Sequence, residues 1–251
     1  MAFHDDFRAR KPLFGPFFRT PSPVLAEVFG GVGFDCVCVD AEHGPLDRAD
    51  IDLLLMAFRA AGTPVIVRPP SGQDDHILNA LDCGAAGIMV PHVNTGEAAH
   101  QVVAAATYHE GRGFAGATRS SNYGARAMAE HIRLSNAERI TIGQVEDAKA
   151  LDNIDDIVAA PLDCIFIGRS DLTVSMGLTD RNAPEVIEAC EMVTRKAVEA
   201  GRVVGTFTAD MGELPRWREM GVSFFLLGSE FGMLKAGAKA FKGRVEGALN
   251  P

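Results

Sequence analysis

Four short strings in this 251-residue chain place carboxylates, a histidine and an arginine directly behind apolar runs. DAEHGP carries Asp40, Glu42 and His43; VRPP carries Arg68; QVE carries Gln144 and Glu146; IGRSD carries Gly168, Ser170 and Asp171. Glu146 and Asp171 are carboxylates that can converge on one hard divalent cation such as Mg²⁺ or Mn²⁺ and leave water positions open. Arg68, stiffened by the two prolines after it, offers paired N–H donors and a fixed positive charge to a carboxylate or an enolate oxygen. His43 has the company a general base needs, because a nearby anion sets its tautomer and raises its basicity. His92 in PHV competes for that part, and Asp82 in ALDCGAAG is a further carboxylate ahead of the fourth apolar run. Gln144 shares a side with Glu146 if the segment is extended, since side chains alternate along a strand.

Each of these residues also has a plainer reading. Glu146 would cap a helix beginning DAKAL, Asp171 would cap a turn, and Arg68 would form an ion pair at a rim. Taken together beside His43, the three favour a metal-assisted reaction. The other histidines, His4, His76, His100, His109 and His131, read as surface residues.

The elements that must position these groups are legible as an alternation. Apolar runs at 13–18, 34–40, 64–68, 86–90, 140–146, 163–168, 202–207 and 223–228 are short, rich in Val, Ile and Phe, and bounded by Gly, Pro or Asp. Near-continuous apolar strands are what a parallel sheet covered on both faces requires. Helical periodicity fills 47–61, 73–83, 95–109, 147–159, 184–200 and 229–248, with Thr95 and the stretch from Asp180 to Pro184 as helix starts. Eight strands alternating with helices predict an α/β fold, a (β/α)₈ TIM barrel formed by residues 1–251 as a single domain. A doubly wound sheet would usually show a GxGxxG turn, and the chain has none. In a barrel the chemistry belongs at the C-terminal ends of the strands, where the four strings fall.

Composition narrows the partners. A net charge of −9 without a basic stripe argues against nucleic acid, and no apolar run is long enough for a membrane span. The acidic balance also disfavours anionic substrates unless a cation or metal is placed locally. Five cysteines without a CxxC pair, and an N-terminus without an apolar leader, predict a reduced, cytoplasmic protein.

The strings FDCVCVDAEHGPLD, VRPP, ALDCGAAGIMVPHV, RGF…RSSNYG, QVEDAKALDNIDDI and IFIGRSDLTVSMG resemble, in order and spacing over residues 13–245, the class II pyruvate aldolases typified by 4-hydroxy-2-oxoheptanedioate aldolase. The resemblance implies a lyase dependent on Mg²⁺, Mn²⁺ or Co²⁺ that cleaves 4-hydroxy-2-oxo acids to pyruvate and an aldehyde, with no Schiff-base lysine and a place in aromatic catabolism. It implies that Glu146 and Asp171 hold the metal, and that Gln144, Gly168 and the backbone at Ser170 form the pyruvate pocket. His43 would be the base, Arg68 the transition-state stabiliser, and Asp82 the carboxylate that increases the basicity of His43; Asp40 is the alternative for that last part. Two departures bear on the acceptor aldehyde. Arg169 stands where the family often has Pro, adding a cation near the pocket mouth, and GPFFRT offers Phe17 and Phe18 where a G-x-W-like context is usual. The resemblance further implies a homo-oligomer, a hexamer or trimer, with the last helix exchanged between barrels. Phe231, Met233, Leu234, Ala238 and Phe241 spread over more than one narrow stripe of that helix, in keeping with a second buried surface. The alternatives are a citryl- or malyl-CoA lyase-like enzyme and a non-catalytic barrel that binds 2-oxo acids.

Overall fold

The computed structural model describes residues 2–250 and forms one strand at each of the eight apolar runs, two of them extending one residue beyond the run. These are β1 (Leu13–Phe18), β2 (Val37–Asp40), β3 (Val65–Arg68), β4 (Gly87–Val90), β5 (Ile140–Val145), β6 (Cys164–Ile167), β7 (Val203–Thr208) and β8 (Phe224–Ser229). Each pairs in parallel with the next, and β8 pairs with β1, closing the barrel. The expected (β/α)₈ fold is therefore the observed one.

Twelve α-helices accompany the strands among the described residues: α1 (Ala2–Arg8), α2 (Pro23–Gly30), α3 (Arg48–Ala60), α4 (Asp74–Asp82), α5 (Gly96–Ala106), α6 (Met128–Glu138), α7 (Ala148–Asp152), α8 (Ile154–Ala159), α9 (Arg169–Ser175), α10 (Pro184–Glu199), α11 (Leu214–Glu219) and α12 (Glu230–Leu249). Local chemistry sets their ends. Asp47 accepts from the backbone N–H groups of Ala49 and Asp50 and forms a capping box with Asp50, while Thr95 caps α5 through Ala98. The expected helix over 147–159 is two helices, separated at Asn153. Helices α1, α2, α6, α9 and α11 were not anticipated. All but α6 have eight residues or fewer, and α6 buries only His131, so its apolar period is faint.

Two apolar shells hold the fold. One lies between sheet and helices and includes Val37, Val39, Leu54, Phe58, Ile77, Ile88, Ile165 and Val193. The other fills the barrel with Leu13, Phe17, Cys36, Cys38, Ile66, Met89, Ile140, Ile142, Cys164, Phe166, Phe224 and Leu226. Phe7 of α1 closes its lower end, edge-on to Phe224 at 5.2 Å between ring centres. All five cysteines are buried and unpaired, and burial raises the thiol pKa of each. Among the described residues no helix is long and apolar enough to cross a membrane.

Candidate active site

Strand alternation decides which polar side chains meet. Cys36 and Cys38 point into the barrel, so Asp40 continues the same row at the open end of β2; Ile66 and Arg68 do so on β3, and Phe166 and Gly168 on β6. On β5 the row is Ile140, Ile142, Gln144 and then Glu146 just beyond the strand. The apolar part of each row packs the barrel, and Asp40, Arg68, Gln144 and Gly168 reach a cavity of about 480 Å³ at the C-terminal mouth.

Asp40 and Arg68 are register partners on adjacent strands. Arg68 donates from Nε to Asp40 Oδ1 at 2.9 Å and from Nη2 to Oδ2 at 2.8 Å, a fork that fixes the guanidinium plane. Its Nη1 reaches Gln144 Oε1 at 3.4 Å, and the guanidinium lies 4.7 Å from the centre of the Phe17 ring. Both partners are buried, Arg68 at 5% and Asp40 at 1% exposure. Burial opposes the charge on Arg68, but Asp40 outweighs it and keeps the guanidinium pKa above its ordinary value.

Gln144 Nε2 donates to Glu146 Oε2, linking the arginine pair to a second polar cluster. Burial pushes the Glu146 carboxyl up to about 7; Glu42 and Asp171 add like-charge repulsion, while the His92 backbone N–H, 2.9 Å from Oε1, acts the other way. His92 sits in the left-handed region at φ 54°, which turns its N–H toward Glu146. Its Nδ1 is 3.0 Å from Asp147 Oδ2 and its Nε2 is 3.4 Å from Glu42 Oε1. Burial disfavours protonation of His92, yet Glu146, Asp147 and Glu42 together hold its pKa above the usual value. Glu42, His92 and Glu146 each offer a ligand atom, all within 4.8 Å of one another, as a metal-ion site requires. The donor set suits a divalent cation: Glu42 Oε2 is buried and accepts no hydrogen bond, with Arg68 Nε 3.2 Å away, and the burial that raises the Glu146 carboxyl is a cost a bound cation would offset.

The structure brings Asp40, His43, Arg68, Gln144, Gly168, Ser170 and Asp171 to one cavity. Glu146 abuts it behind Gly168, where an added Cβ would stand 2.7 Å from Glu146 Oε2 and 2.9 Å from Gln144 Nε2. His43 is on the rim, its side chain 51% exposed, with its backbone N–H donating to Asp40 Oδ1 at 3.2 Å and Nε2 3.8 Å from Glu42 Oε2. Asp171 borders the cavity but is not among the three clustered donors.

Within the chain, Asp82 is not brought to His43. It ends α4, in the segment that enters β4 rather than in a loop that leaves a strand, and Arg112 Nη2 donates to it at 3.0 Å. Arg169 lines the cavity, as expected of a cation near its mouth, but it is buried and bound through both Nη atoms to Glu213 at 2.9 Å, which offsets its charge. His131 is buried rather than on the surface, with its Nε2 3.0 Å from the Tyr108 hydroxyl. Sequence reasoning left Glu42 and His92 out of the metal donors, although both sit in strand-end loops. It also passed over Arg19, which continues the inward row of Leu13 and Phe17 and lines the cavity.

Comparisons with known proteins agree with this geometry. Residues 13–236 match the family model of HpcH/HpaI aldolase/citrate lyase. The chain is 33% identical over 242 residues to a hydroxypyruvate/pyruvate aldolase of Paraburkholderia phytofirmans, covering 92% of both proteins. It is 31% identical over 232 residues to a 5-keto-4-deoxy-D-glucarate aldolase of Shigella boydii, covering 91% of this chain and 90% of that one. A solved HpcH/HpaI aldolase/citrate lyase family protein from Burkholderia cenocepacia superposes with a TM-score of 0.91 at 30% identity, covering 98% of this chain and 99% of that one. With the family matched over nearly the whole barrel and the strand-end residues gathered at its mouth, the chain belongs to the HpcH/HpaI aldolase/citrate lyase family, the aldolase-type lyases that its motifs anticipated.

Proposed function

We propose that this enzyme reversibly cleaves 4-hydroxy-2-oxo acids to pyruvate, or a close 2-oxo acid, and an aldehyde. The observation that carries the reading is the convergence of the Arg68–Asp40 fork, the Gln144–Glu146 pair and His43 on one cavity. The aldolase names of its relatives support it.

Gln144 and the backbone at Ser170 hold the 2-oxo acid end, and Gly168 leaves the room it needs. A divalent cation, Mg²⁺, Mn²⁺ or Co²⁺, held by Glu146 and Asp171 with Glu42 and His92 alongside, supplies Lewis-acid stabilisation of negative charge when bound. His43 accepts the proton of the 4-hydroxyl group. The O–H electron pair becomes the second bond of the aldehyde carbonyl, the C3–C4 bond breaks, and its electrons form the C2–C3 double bond of the enolate. Arg68 faces the developing negative charge with a guanidinium already oriented by Asp40, so little reorganisation is needed as charge appears. Protonation of the enolate at C3 by water completes pyruvate, while His43 gives its own proton back to the 4-oxygen only when the reaction runs toward synthesis. Asp40 also holds the His43 loop through its backbone N–H, while Glu42 is the carboxylate of the same chain that faces the ring, with Oε2 3.8 Å from Nε2. Asp82 borders an open depression on the outer wall, so its expected action on His43 requires a second copy of the chain.

A homo-oligomer, hexamer or trimer, fits helix α12, on which Phe231, Leu234, Phe241, Val245 and Leu249 are exposed and only Glu230 is buried. The unpaired buried thiols fit a reducing, cytoplasmic setting. The citrate-lyase branch of the family supplies a thioester substrate as the rival reading. A panel of 4-hydroxy-2-oxo acids and acyl-CoA thioesters, monitored for pyruvate and for free thiol, tests both. Pyruvate release from the oxo acids is the expected result; thiol release alone would replace the proposal.

A further inference from the structure

Three arginines line the cavity, Arg19, Arg68 and Arg169, and the aldol reaction of pyruvate does not require Arg19. Arg19 follows β1 and lines the mouth. Its backbone is held: the N–H donates to Glu230 Oε1 at 2.7 Å, and the neighbouring Thr20 hydroxyl donates to the same oxygen at 2.9 Å. Glu230 is fully buried, so this anchor is part of the fold. The side chain runs over Gly44, where an added Cβ would stand 3.2 Å from Arg19 Cβ and 3.3 Å from Cγ. That places the aliphatic stem against the loop that carries His43. The guanidinium ends 5.3 Å from the centre of the Phe231 ring.

What distinguishes Arg19 is its lack of a committed anion. Arg68 is bound by Asp40 through two bonds, and Arg169 by Glu213 through two bonds. Arg19 Nε is buried without a hydrogen-bond partner, and its nearest carboxylate oxygen, on Asp40, is 4.0 Å away and already accepts from Arg68. A buried, unpartnered guanidinium N–H at a cavity wall is costly unless a ligand satisfies it. In a protein of net charge −9, a held cation is also what an anionic ligand needs locally.

We propose that Arg19 binds an anionic group, a carboxylate or a phosphate, on the aldehyde half of the substrate. The assignment to that half rests on the aldolase reading: His43 acts at the oxygen that becomes the aldehyde, and Arg19 lies against the His43 loop. Arg68, Gln144 and Glu146 occupy the side assigned to the 2-oxo acid. The enzyme then selects acidic aldehydes, such as an aldehyde-terminated carboxylic acid, over neutral ones of the same length.

The test compares aldol addition of pyruvate to succinic semialdehyde and to its methyl ester, and to glyceraldehyde 3-phosphate and glyceraldehyde. Wild type, Arg19→Ala and Arg19→Lys are assayed in parallel. The anionic-to-neutral ratio of kcat/KM should fall by ~10- to 100-fold in Arg19→Ala, the loss expected of a charge-assisted hydrogen bond, for one or both pairs. The pair that responds identifies carboxylate or phosphate, and Arg19→Lys should keep most of the ratio. An unchanged ratio for both pairs in Arg19→Ala overturns the proposal, as does an equal fall for anionic and neutral aldehydes, which would mark Arg19 as a support for Asp40. Calorimetric binding of succinate and of inorganic phosphate to wild type and Arg19→Ala gives a readout independent of turnover. If no aldehyde reacts but one of these anions binds at least ~10-fold more weakly to the variant, the anion site stands and the aldolase reading falls. If neither activity nor anion binding depends on Arg19, the site falls.

Discussion

Replacing Arg68 separates its structural and chemical parts. Asp40 is 1% exposed and receives both charged hydrogen bonds of the fork, so Arg68→Ala leaves a buried carboxylate with only the His43 backbone N–H. Breaking a buried pair by removing one partner costs ~3–5 kcal/mol, which in a chain of this size lowers Tm by roughly 6–20 °C. The chemical loss is separate. If the guanidinium stabilises enolate charge, its removal should slow both cleavage of a 4-hydroxy-2-oxo acid and exchange of the pyruvate methyl protons by ~10²–10³-fold, because both reactions pass through the enolate. Arg68→Lys keeps a charge but cannot span both Asp40 oxygens and still face the cavity. It should recover much of the stability while exchange stays at least ~10-fold slow. Proton exchange is followed by NMR in deuterated water, below the Tm of each variant. Wild-type exchange by folded Arg68→Ala would refute the reasoning and leave Arg68 as a rim ion pair.

The remaining predictions address the other walls of the site. His43→Ala should lose at least ~10² in cleavage yet exchange pyruvate protons at near the wild-type rate, since the base acts on the 4-hydroxyl; loss of both together would contradict that division. Gly168→Ala would press a methyl to 2.7 Å from Glu146 Cβ and 2.9 Å from Gln144 Nε2, so Tm should fall by roughly 2–12 °C and KM for the 2-oxo acid should rise by at least ~10-fold; an unchanged KM in the folded variant would show that the pocket lies elsewhere. Light scattering should give wild type a mass that is a multiple of 26.8 kDa, and Phe241→Glu on the exposed face of α12 should lower it; a wild-type monomer would sink the oligomer.

The strands were readable because a parallel barrel buries both faces, leaving runs such as VCVD and CIFI without the alternation that could be mistaken for another element. The same geometry made most of the site readable. Once the strand ends are located, every second residue points inward, and Asp40, Arg68, Gln144 and Gly168 follow from Cys38, Ile66, Ile142 and Phe166. Applied to β1, that rule leads from Phe17 to Arg19, a step the emphasis on Phe17 and Phe18 as aromatics obscured. Applied to Asp82, it gives a warning, because that residue precedes a strand instead of ending one. Other features were beyond a single-sequence reading. Arg169 is neutralised by Glu213 and the helix over 147–159 breaks at Asn153, whose amide donates to the backbone carbonyls of Asn94 and Lys149. These outcomes depend on partners brought together by the closed barrel. The cluster of Glu42, His92 and Glu146 depends likewise on loops from three strands meeting, with His92 in a left-handed conformation that its sequence does not announce.

The central claim is that a metal-assisted enolate reaction takes place beside Glu146. It is tested most directly by measuring pyruvate release from a 4-hydroxy-2-oxo acid before chelation, after exhaustive chelation, and after readdition of Mg²⁺, Mn²⁺ or Co²⁺, with Glu146→Gln in parallel. The account predicts that activity disappears with the metal and returns with at least one of these ions. It further predicts that Glu146→Gln stays folded but binds Mn²⁺ at least ~10-fold more weakly. Full turnover in excess chelator, or wild-type Mn²⁺ affinity in Glu146→Gln, would contradict it.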